Sequence, residues 1–315
     1  MTLPSISVVI PCYNAERYIG ATLDSVLAQQ WPDLEIIVVD DGSKDGSVEL
    51  VRSRYPSVRV EVQANGGVAS ARNCGLSLAT RQLVALVDAD DIWLPGKLAA
   101  QVARMQAVPG CRMCYTAWQV WPCVEPVPDP AYLAALAAQA AEPRWQGASG
   151  WIYPELLLDC VVWTSTVLAE RALFQEIGGF DTTLRVGEDY DLWMRASRLT
   201  PIERVAAPMA LYRIHPASIT KSMPTENYRA LVINRALVQW GLDSPDGRSA
   251  DSGAVRRLLA KSWADFASDH AAVGSFAHAR RGAIAALRVD PVYMPGWKLL
   301  IKTCAMSLVP LKERT

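Results

Sequence analysis

The sequence predicts an α/β protein: a doubly wound, mostly parallel sheet with helices on both faces, followed by an all-helical C-terminal extension. Three observations carry that expectation. Short β-branched apolar runs alternate with helical periodicities from Ile6 to Val87, and that alternation specifies parallel strands joined by helical crossovers. Polar clusters stand at the ends of three of those runs, which is the edge where open α/β sheets bind ligands. From Met223 onward the only periodicity is helical.

The elements follow in order. Ile6 to Ile10 is a strand buried on both faces, since nothing in it alternates with polar residues. Ile19, Leu23, Val26 and Leu27 recur at helical spacing, and Trp31-Pro32 closes that helix. Leu34 to Val39 is a second buried strand, cut off by Asp40-Asp41-Gly42-Ser43. Asp45 is the expected N-cap of the helix carrying Val48, Leu50 and Val51. Val58 to Val62 reads as a strand, Val68 to Ala79 as a helix, and Leu83 to Val87 as the strand that runs into Asp88-Ala89-Asp90-Asp91. Arg112 to Trp118 and Val161 to Leu168 are further strands, and Met209 to Ile214 is the last. Glu170 to Ile177 is a helix ended by Gly178-Gly179, and a helix opens at Gly187-Glu188-Asp189. The expected boundaries are 1–222 for the α/β domain and 223–315 for the helical extension. Residues 122–150, rich in Pro and Ala, read as an insertion over the sheet edge that contains the helix Ala131 to Ala141. Ala277 to Ile301, broken at Asp290-Pro291, has the form of one tetratricopeptide-like helix pair. A single such pair is no repeat array.

Composition narrows the partners. Of 315 residues 51% are hydrophobic, and the net charge is −1, so the basic footprint of a nucleic-acid binder is lacking. The seven cysteines are odd in number and scattered, as expected of reduced thiols in a cytoplasmic protein. Cys111 and Cys114 form a Cys-x-x-Cys without the second pair a zinc site needs, so core packing is their expected role. The apolar run at Ile6 is too short for a signal peptide, and no window reaches the length of a membrane span.

The acidic turn carries the chemistry. Carboxylates crowded at a strand end repel one another unless a positive group sits among them. A divalent metal bearing a phosphorylated ligand answers that need, because hard cations take carboxylate and phosphate oxygens together. A solvated acidic loop capping the next helix is the plain alternative for an isolated Asp-x-Asp.

The motif is not isolated. Ser7-Val-Val-Ile-Pro-Cys-Tyr-Asn14, Val39-Asp-Asp-Gly-Ser43, Gly67-Val-Ala-Ser-Ala-Arg-Asn73, Val87-Asp-Ala-Asp-Asp91 and Gly187-Glu-Asp-Tyr-Asp191 occur in that order. Over roughly Ser5 to Ser222 the chain resembles the family 2 glycosyltransferases of the GT-A fold. The resemblance implies a nucleotide-diphospho-sugar donor, most often a UDP-sugar, a Mg²⁺ or Mn²⁺ ion, and inversion at the anomeric carbon. It implies that Pro11 and Tyr13 line the nucleobase pocket and that Asp40 accepts a hydrogen bond from the base. Arg72 would lie near the diphosphate. Within Asp88-Ala89-Asp90, Asp88 would reach the ribose or a metal-bound water, and Asp90 would hold the metal. Asp189 would be the general base, with Glu188 the alternative, although acids there also complement the helix dipole. His215 would approach the metal or diphosphate, or serve only structure; Arg213 and Lys221 are further candidates for phosphate. Trp163 would face the acceptor, a glycan or lipid-linked glycan, or else pack in the core.

Eleven tryptophans against four phenylalanines suit a sugar site, since flat rings with a polar edge stack on sugars. Trp93, Trp118, Trp121, Trp145 and Trp151 could shape the acceptor site or simply pack the insertion. The stretch from Trp297 to Arg314 mixes apolar and basic residues, as either a membrane-surface helix or a helix packed on its own domain would. A catalytically inactive nucleotide-sugar-binding or scaffold protein is the competing function; it would be expected to have lost Asp90 or Asp189. A nucleotidyltransferase would need a Gly-rich, Arg-containing loop after the first strand, and Pro11-Cys12-Tyr13-Asn14 is not one.

Overall fold

The computed structural model describes residues 3–122, 129–138, 147–214 and 223–308. Strand β1 (Ile6–Cys12) is buried at every position. Helix α1 (Ile19–Leu27), strand β2 (Leu34–Asp40), helix α2 (Ser47–Arg54), strand β3 (Arg59–Val62), helix α3 (Val68–Leu78) and strand β4 (Leu83–Leu86) follow. They pair in parallel, β3 with β2, β2 with β1, and β1 with β4. The register sets Cys12 beside Asp40 and Val9 beside Leu86, so all three strands deliver their following loops to one edge. Ile6, Val8, Ile10, Leu23, Val38 and Leu98 are among the side chains of the core beneath that edge.

The second half of the sheet is mixed. Strand β5 (Ile92–Trp93), helix α4 (Lys97–Ala107), strand β6 (Met113–Pro122), helix α5 (Pro130–Ala137) and helix α6 (Tyr153–Leu156) precede strand β7 (Leu168–Glu170). Helices α7 (Arg171–Glu176) and α8 (Glu188–Ala196) and strand β8 (Ile202–Ile214) complete it. The strand order is β3-β2-β1-β4-β7-β6-β8-β5. Strand β7 runs antiparallel to both β4 and β6, whereas β6 and β8 are parallel. The ladder of β6 and β8 shifts register on either side of Ala117, which stands opposite Pro208. A bulge there absorbs a residue that cannot donate to the ladder, and it lets β8 begin at Ile202, well before the expected Met209. Helix α5 packs Leu133, Leu136 and Ala137 against Ile92, Leu94, Trp121 and Leu211, on the edge made by β5. The expected helix to Ala141 runs past Ala138 into residues outside those described.

Two expectations are corrected. Val161 to Leu168 is not a strand: Thr164–Thr166 forms a 3-10 turn, and β7 starts only at Leu168. The hydroxyls explain it, because Thr166 Oγ1 bonds the Trp163 carbonyl at 2.5 Å and Ser165 Oγ bonds Asp91, offering the backbone an alternative to a ladder. Asp45 is not the N-cap residue of α2, which is Gly46. The Asp45 carboxylate nonetheless accepts the Ser47 N–H at 3.1 Å and the Glu16 N–H at 3.0 Å, tying the helix start to the loop after β1.

Two compact units separate, Met1–Leu156 with Cys160–His215, and Leu157–Asp159 with Pro216–Thr315. In the second, α9 (Tyr228–Trp240) and α10 (Ser252–Ala272) are capped by Asn227 and Asp251, whose side chains accept from the N–H three residues on. Helices α11 (Phe276–Val289) and α12 (Met294–Leu308) form the hairpin broken at Asp290-Pro291. A Cβ on Gly282 would lie 2.9 Å from the Phe266 ring and 3.0 Å from the Trp263 carbonyl. That glycine and the buried Ala279, Ala283 and Ala286 let α11 approach α10 closely. Among the described residues, no helix is long and apolar enough to cross a membrane.

Candidate active site

The loop after β1 turns at Asn14, whose φ of 49° lies in the left-handed region that asparagine tolerates better than most residues. Hydrogen bonds pin that turn, Asn14 N to Ser43 Oγ at 2.9 Å and Lys44 N to Asn14 Oδ1 at 2.7 Å. Pro11 is buried at the strand end, while Tyr13 is 52% exposed beside the turn. Asp40, in register with Cys12, is buried. Its Oδ2 accepts the N–H groups of Gly42 and Ser43 at 3.2 and 3.0 Å, and its Oδ1 has no partner. A buried acceptor without a donor costs free energy, so Asp40 Oδ1 is an oxygen whose burial the fold leaves uncompensated. Asp41 does a different job, since it accepts from Gly66 N, Gly67 N and Gln63 Nε2 and closes the loop before α3.

Arg72 is the centre of the site. Carried on α3 and buried, it donates from Nη1 to Glu188 Oε1 and from Nη2 to Asp88 Oδ1, each at 2.7 Å, over the face of Phe180. The link from Arg72 to Glu188 spans 116 positions of sequence. Burial disfavours the Arg72 charge, but Asp88, Glu188 and Asp189 more than offset it, and its pKa is raised. Burial likewise pushes Glu188 up to about 7, against the pull of Arg72.

The acidic turn rests on two inner residues. Ser165 Oγ accepts the Asp88 N–H at 3.0 Å and donates to Asp91 Oδ2 at 2.5 Å. Asp91 is buried, and that burial, reinforced by Asp90 and Asp88, raises its pKa. Arg213 donates its backbone N–H to Asp91 Oδ1 and its Nε–H to the Asp90 carbonyl at 2.7 Å. The Arg213 guanidinium is enclosed between the rings of Trp121 and Tyr18, at 4.2 and 4.9 Å, with Nη2 unpartnered. Asp88, Ala89 and Asp90 are thereby presented from a rigid base, with Ala89 buried and both carboxylate residues half-buried.

Helix α8 begins on Gly187, whose φ of 81° needs a residue without Cβ. Its first residue, Glu188, turns inward to Arg72. Its second, Asp189, is half-buried and accepts the Thr164 hydroxyl at 3.0 Å. Trp163 precedes that threonine and meets Trp118 at 5.8 Å and Tyr212 at 5.1 Å between ring centres, forming an aromatic group beside Asp189's support.

Pro11, Tyr13 and Asp40 thus stand together at the ends of β1 and β2, while Arg72, Asp88, Glu188 and Asp189 form one connected group. His215, Lys221 and Trp145 lie outside the described residues. Thr164 and Ser165 are supports without a motif in the sequence, and Asp91, expected only as one acid of the turn, is a third. The only signal for the first two was a hydroxyl-rich run inside an apparent strand. Cys111 and Cys114 are buried free thiols. Among the described residues no three His, Cys, Asp or Glu side chains group as a metal site. Asp88 and Asp90 supply only oxygen donors, which fits an ion that completes its shell with diphosphate oxygens and water. One Asp88 oxygen is already engaged by Arg72.

Residues 7–114 match the family model described as Glycosyl transferase family 2. An uncharacterized glycosyltransferase of Rickettsia prowazekii, RP339, is 30% identical over 220 residues, covering 70% of this chain and 67% of that protein. The amylovoran biosynthesis glycosyltransferase AmsB of Erwinia amylovora is 32% identical over 221 residues, covering 67% and 70%. A glycosyltransferase of Rickettsia bellii is longer, and the match spans only 31% of it. Among solved structures, S. aureus TarS 1-349 in complex with UDP-GlcNAc superposes with a TM-score of 0.62 at 18% identity, over 95% of this chain and 89% of that one. The mannosyltransferase PcManGT from Pyrobaculum calidifontis, in complex with GDP-Man and Mn²⁺, gives 0.55 at 19% identity, over 98% and 82%. These similarities show the fold, which is of the GT-A type. The protein is a glycosyltransferase by class, and it belongs to glycosyltransferase family 2.

Proposed function

We propose that this glycosyltransferase moves a sugar from a UDP-sugar to a hydroxyl of a glycan or lipid-linked glycan in one inverting displacement, with Asp189 as general base. The observation that carries the reading is the Arg72 bridge, which brings the start of α8 against the acidic turn. A carboxylate for the acceptor and carboxylates for the donor then share one site. The UDP-GlcNAc complex of TarS supports the donor class by similarity, and the amylovoran biosynthesis named for AmsB supports a biosynthetic acceptor.

Each residue has a derivable task. The unpartnered Asp40 Oδ1 would accept the imide N–H of uracil, which recovers the cost of its burial. Tyr13, exposed beside it, would cover the base. Asp90, with Asp88, would hold Mg²⁺ or Mn²⁺, whose Lewis acidity would offset the charge growing on the leaving diphosphate. Asp189, oriented by Thr164, would take the proton of the acceptor hydroxyl as the new bond forms; such a base contributes roughly 10²- to 10⁴-fold. Glu188, spent on Arg72, would position the helix start, which favours Asp189 over Glu188 as the base.

Calorimetric titration of UDP with Mn²⁺, then with EDTA, tests the reading. Binding that needs the metal and is lost in Asp90→Ala is expected. Equivalent binding of GDP alone would change the donor, in the manner of the PcManGT complex with GDP-Man. UDP binding without transfer from any UDP-sugar would favour the inactive scaffold, and no nucleotide binding by folded protein would overturn the donor site. The anomeric configuration of the product, read by NMR, tests inversion.

A further inference from the structure

We propose that the exposed face of α12 docks the helical unit on an anionic lipid surface. Met294, Trp297 and Ile301 are spaced three and four residues apart, so they share one face. They are 61%, 45% and 67% exposed, and Val292, just before the helix, is 79% exposed. Trp297 has its Nε1–H tied to the Pro291 carbonyl at 2.9 Å, so its ring is fixed. Ordered apolar side chains in water along the first two turns of a helix mark a surface meant for contact.

Charge selects the occupant. Lys298 and Lys302 are exposed alongside that apolar row. From Phe276 to Leu308 the basic residues are Arg280, Arg281, Arg288, Lys298 and Lys302, and the sole acid, Asp290, is buried. Of these, Arg281 pairs with Glu226 of the unit at 3.4 Å. A cationic end on a chain of net charge −1 is a local feature. Two copies of such a face would repel each other, which disfavours self-association. A nucleic acid would need a basic centre, whereas this centre is apolar with lysines at its side. An apolar row with flanking lysines fits a bilayer interface, where rings and alkyl chains enter the headgroup boundary and the ammonium groups meet lipid phosphates. The helix is too short in apolar residues to cross a membrane, so it would lie in the surface plane.

The test is co-sedimentation of the full chain with vesicles of phosphatidylcholine alone and of phosphatidylcholine with phosphatidylglycerol, at low and high salt. Binding is expected to the anionic vesicles only and to weaken with salt. Lys298→Glu with Lys302→Glu is expected to lower it about tenfold or more. Met294→Ser with Ile301→Ser, both at exposed positions, is expected to weaken it at either salt; circular dichroism checks that each variant is folded. No sedimentation with anionic vesicles at low salt would overturn the proposal, as would undiminished binding by both folded variants. A concentration-dependent dimer that Ile301→Ser abolishes, without vesicle binding, would assign the face to a second copy of the chain and equally overturn it.

Discussion

At the residue scale, the site is a set of charges each of which depends on one neighbour. Arg72 is buried between Asp88 and Glu188, so removing it leaves carboxylates facing one another without a cation. Arg72→Leu is expected to lower stability by roughly 3–5 kcal/mol, the usual consequence of breaking a buried pair from one side; urea unfolding measures it. Thr164 acts through Asp189, and its removal should tell in turnover more than in binding. Thr164→Val is expected to reduce kcat about tenfold with UDP affinity unchanged, consistent with loss of one oriented hydrogen bond, while Thr164→Ser retains most of the rate. An equal loss in UDP affinity would place Thr164 in the donor site instead. Asp88, Asp90 and Asp189 were legible in the sequence because acids at strand and helix ends are conspicuous. Thr164 and Ser165 were not, because a hydroxyl's partner 25 or 74 positions away leaves no local mark.

At the element scale, close packing decides what each segment tolerates. Helix α3 lies on β1 so tightly that a Cβ on Gly75 would meet Val9 Cγ1 at 2.2 Å. Gly75→Ala improves helix propensity and still should destabilise the protein by about 1–3 kcal/mol, because overpacking forces backbone shifts. A lower midpoint in thermal or urea unfolding checks it; a rise would mean that α3 can move outward freely. The same scale shows where reading by pattern failed. Trp163 to Thr166 has the β-branched look of a strand, yet its hydroxyls serve Asp189 and Asp91 and bend it into a 3-10 turn. Strand β8 starts before the expected Met209, because a bulge on β8 opposite Ala117 accommodates Pro208, which cannot donate to the ladder.

At the scale of the whole molecule, the first unit stores an ionisable group in its core. Lys97 is fully buried, with Nζ bonded to Gln101 at 2.7 Å and 4.0 Å from the Trp93 ring centre. Burial lowers its pKa to about 7. The unfolded chain keeps that proton up to about 10.5, so between the two values it binds more protons than the fold, and stability rises with pH. Relative to Lys97→Met, the wild-type protein should therefore gain on the order of 2–3 kcal/mol between about pH 7 and about pH 9.5. Urea midpoints of both proteins at the two pH values measure it, and a constant difference would mean Lys97 does not lose its proton in that window.

The sequence by itself determined the parallel half of the sheet, the edge at which the polar strand ends gather, and the order of five motifs along it. Apolar runs and acidic strand ends are properties of consecutive residues, and consecutive residues are what a sequence displays. Only the tertiary structure decided which carboxylate turns inward and which is presented. Glu188 and Asp189 are adjacent carboxylates; one is bound to Arg72 and the other to Thr164. It also decided that β7 runs antiparallel between β4 and β6, and that Asp40 retains an unpartnered oxygen at the end of β2. Those outcomes depend on which distant groups meet in a buried space, where an ion pair or a hydrogen bond is strong and a missing one is costly.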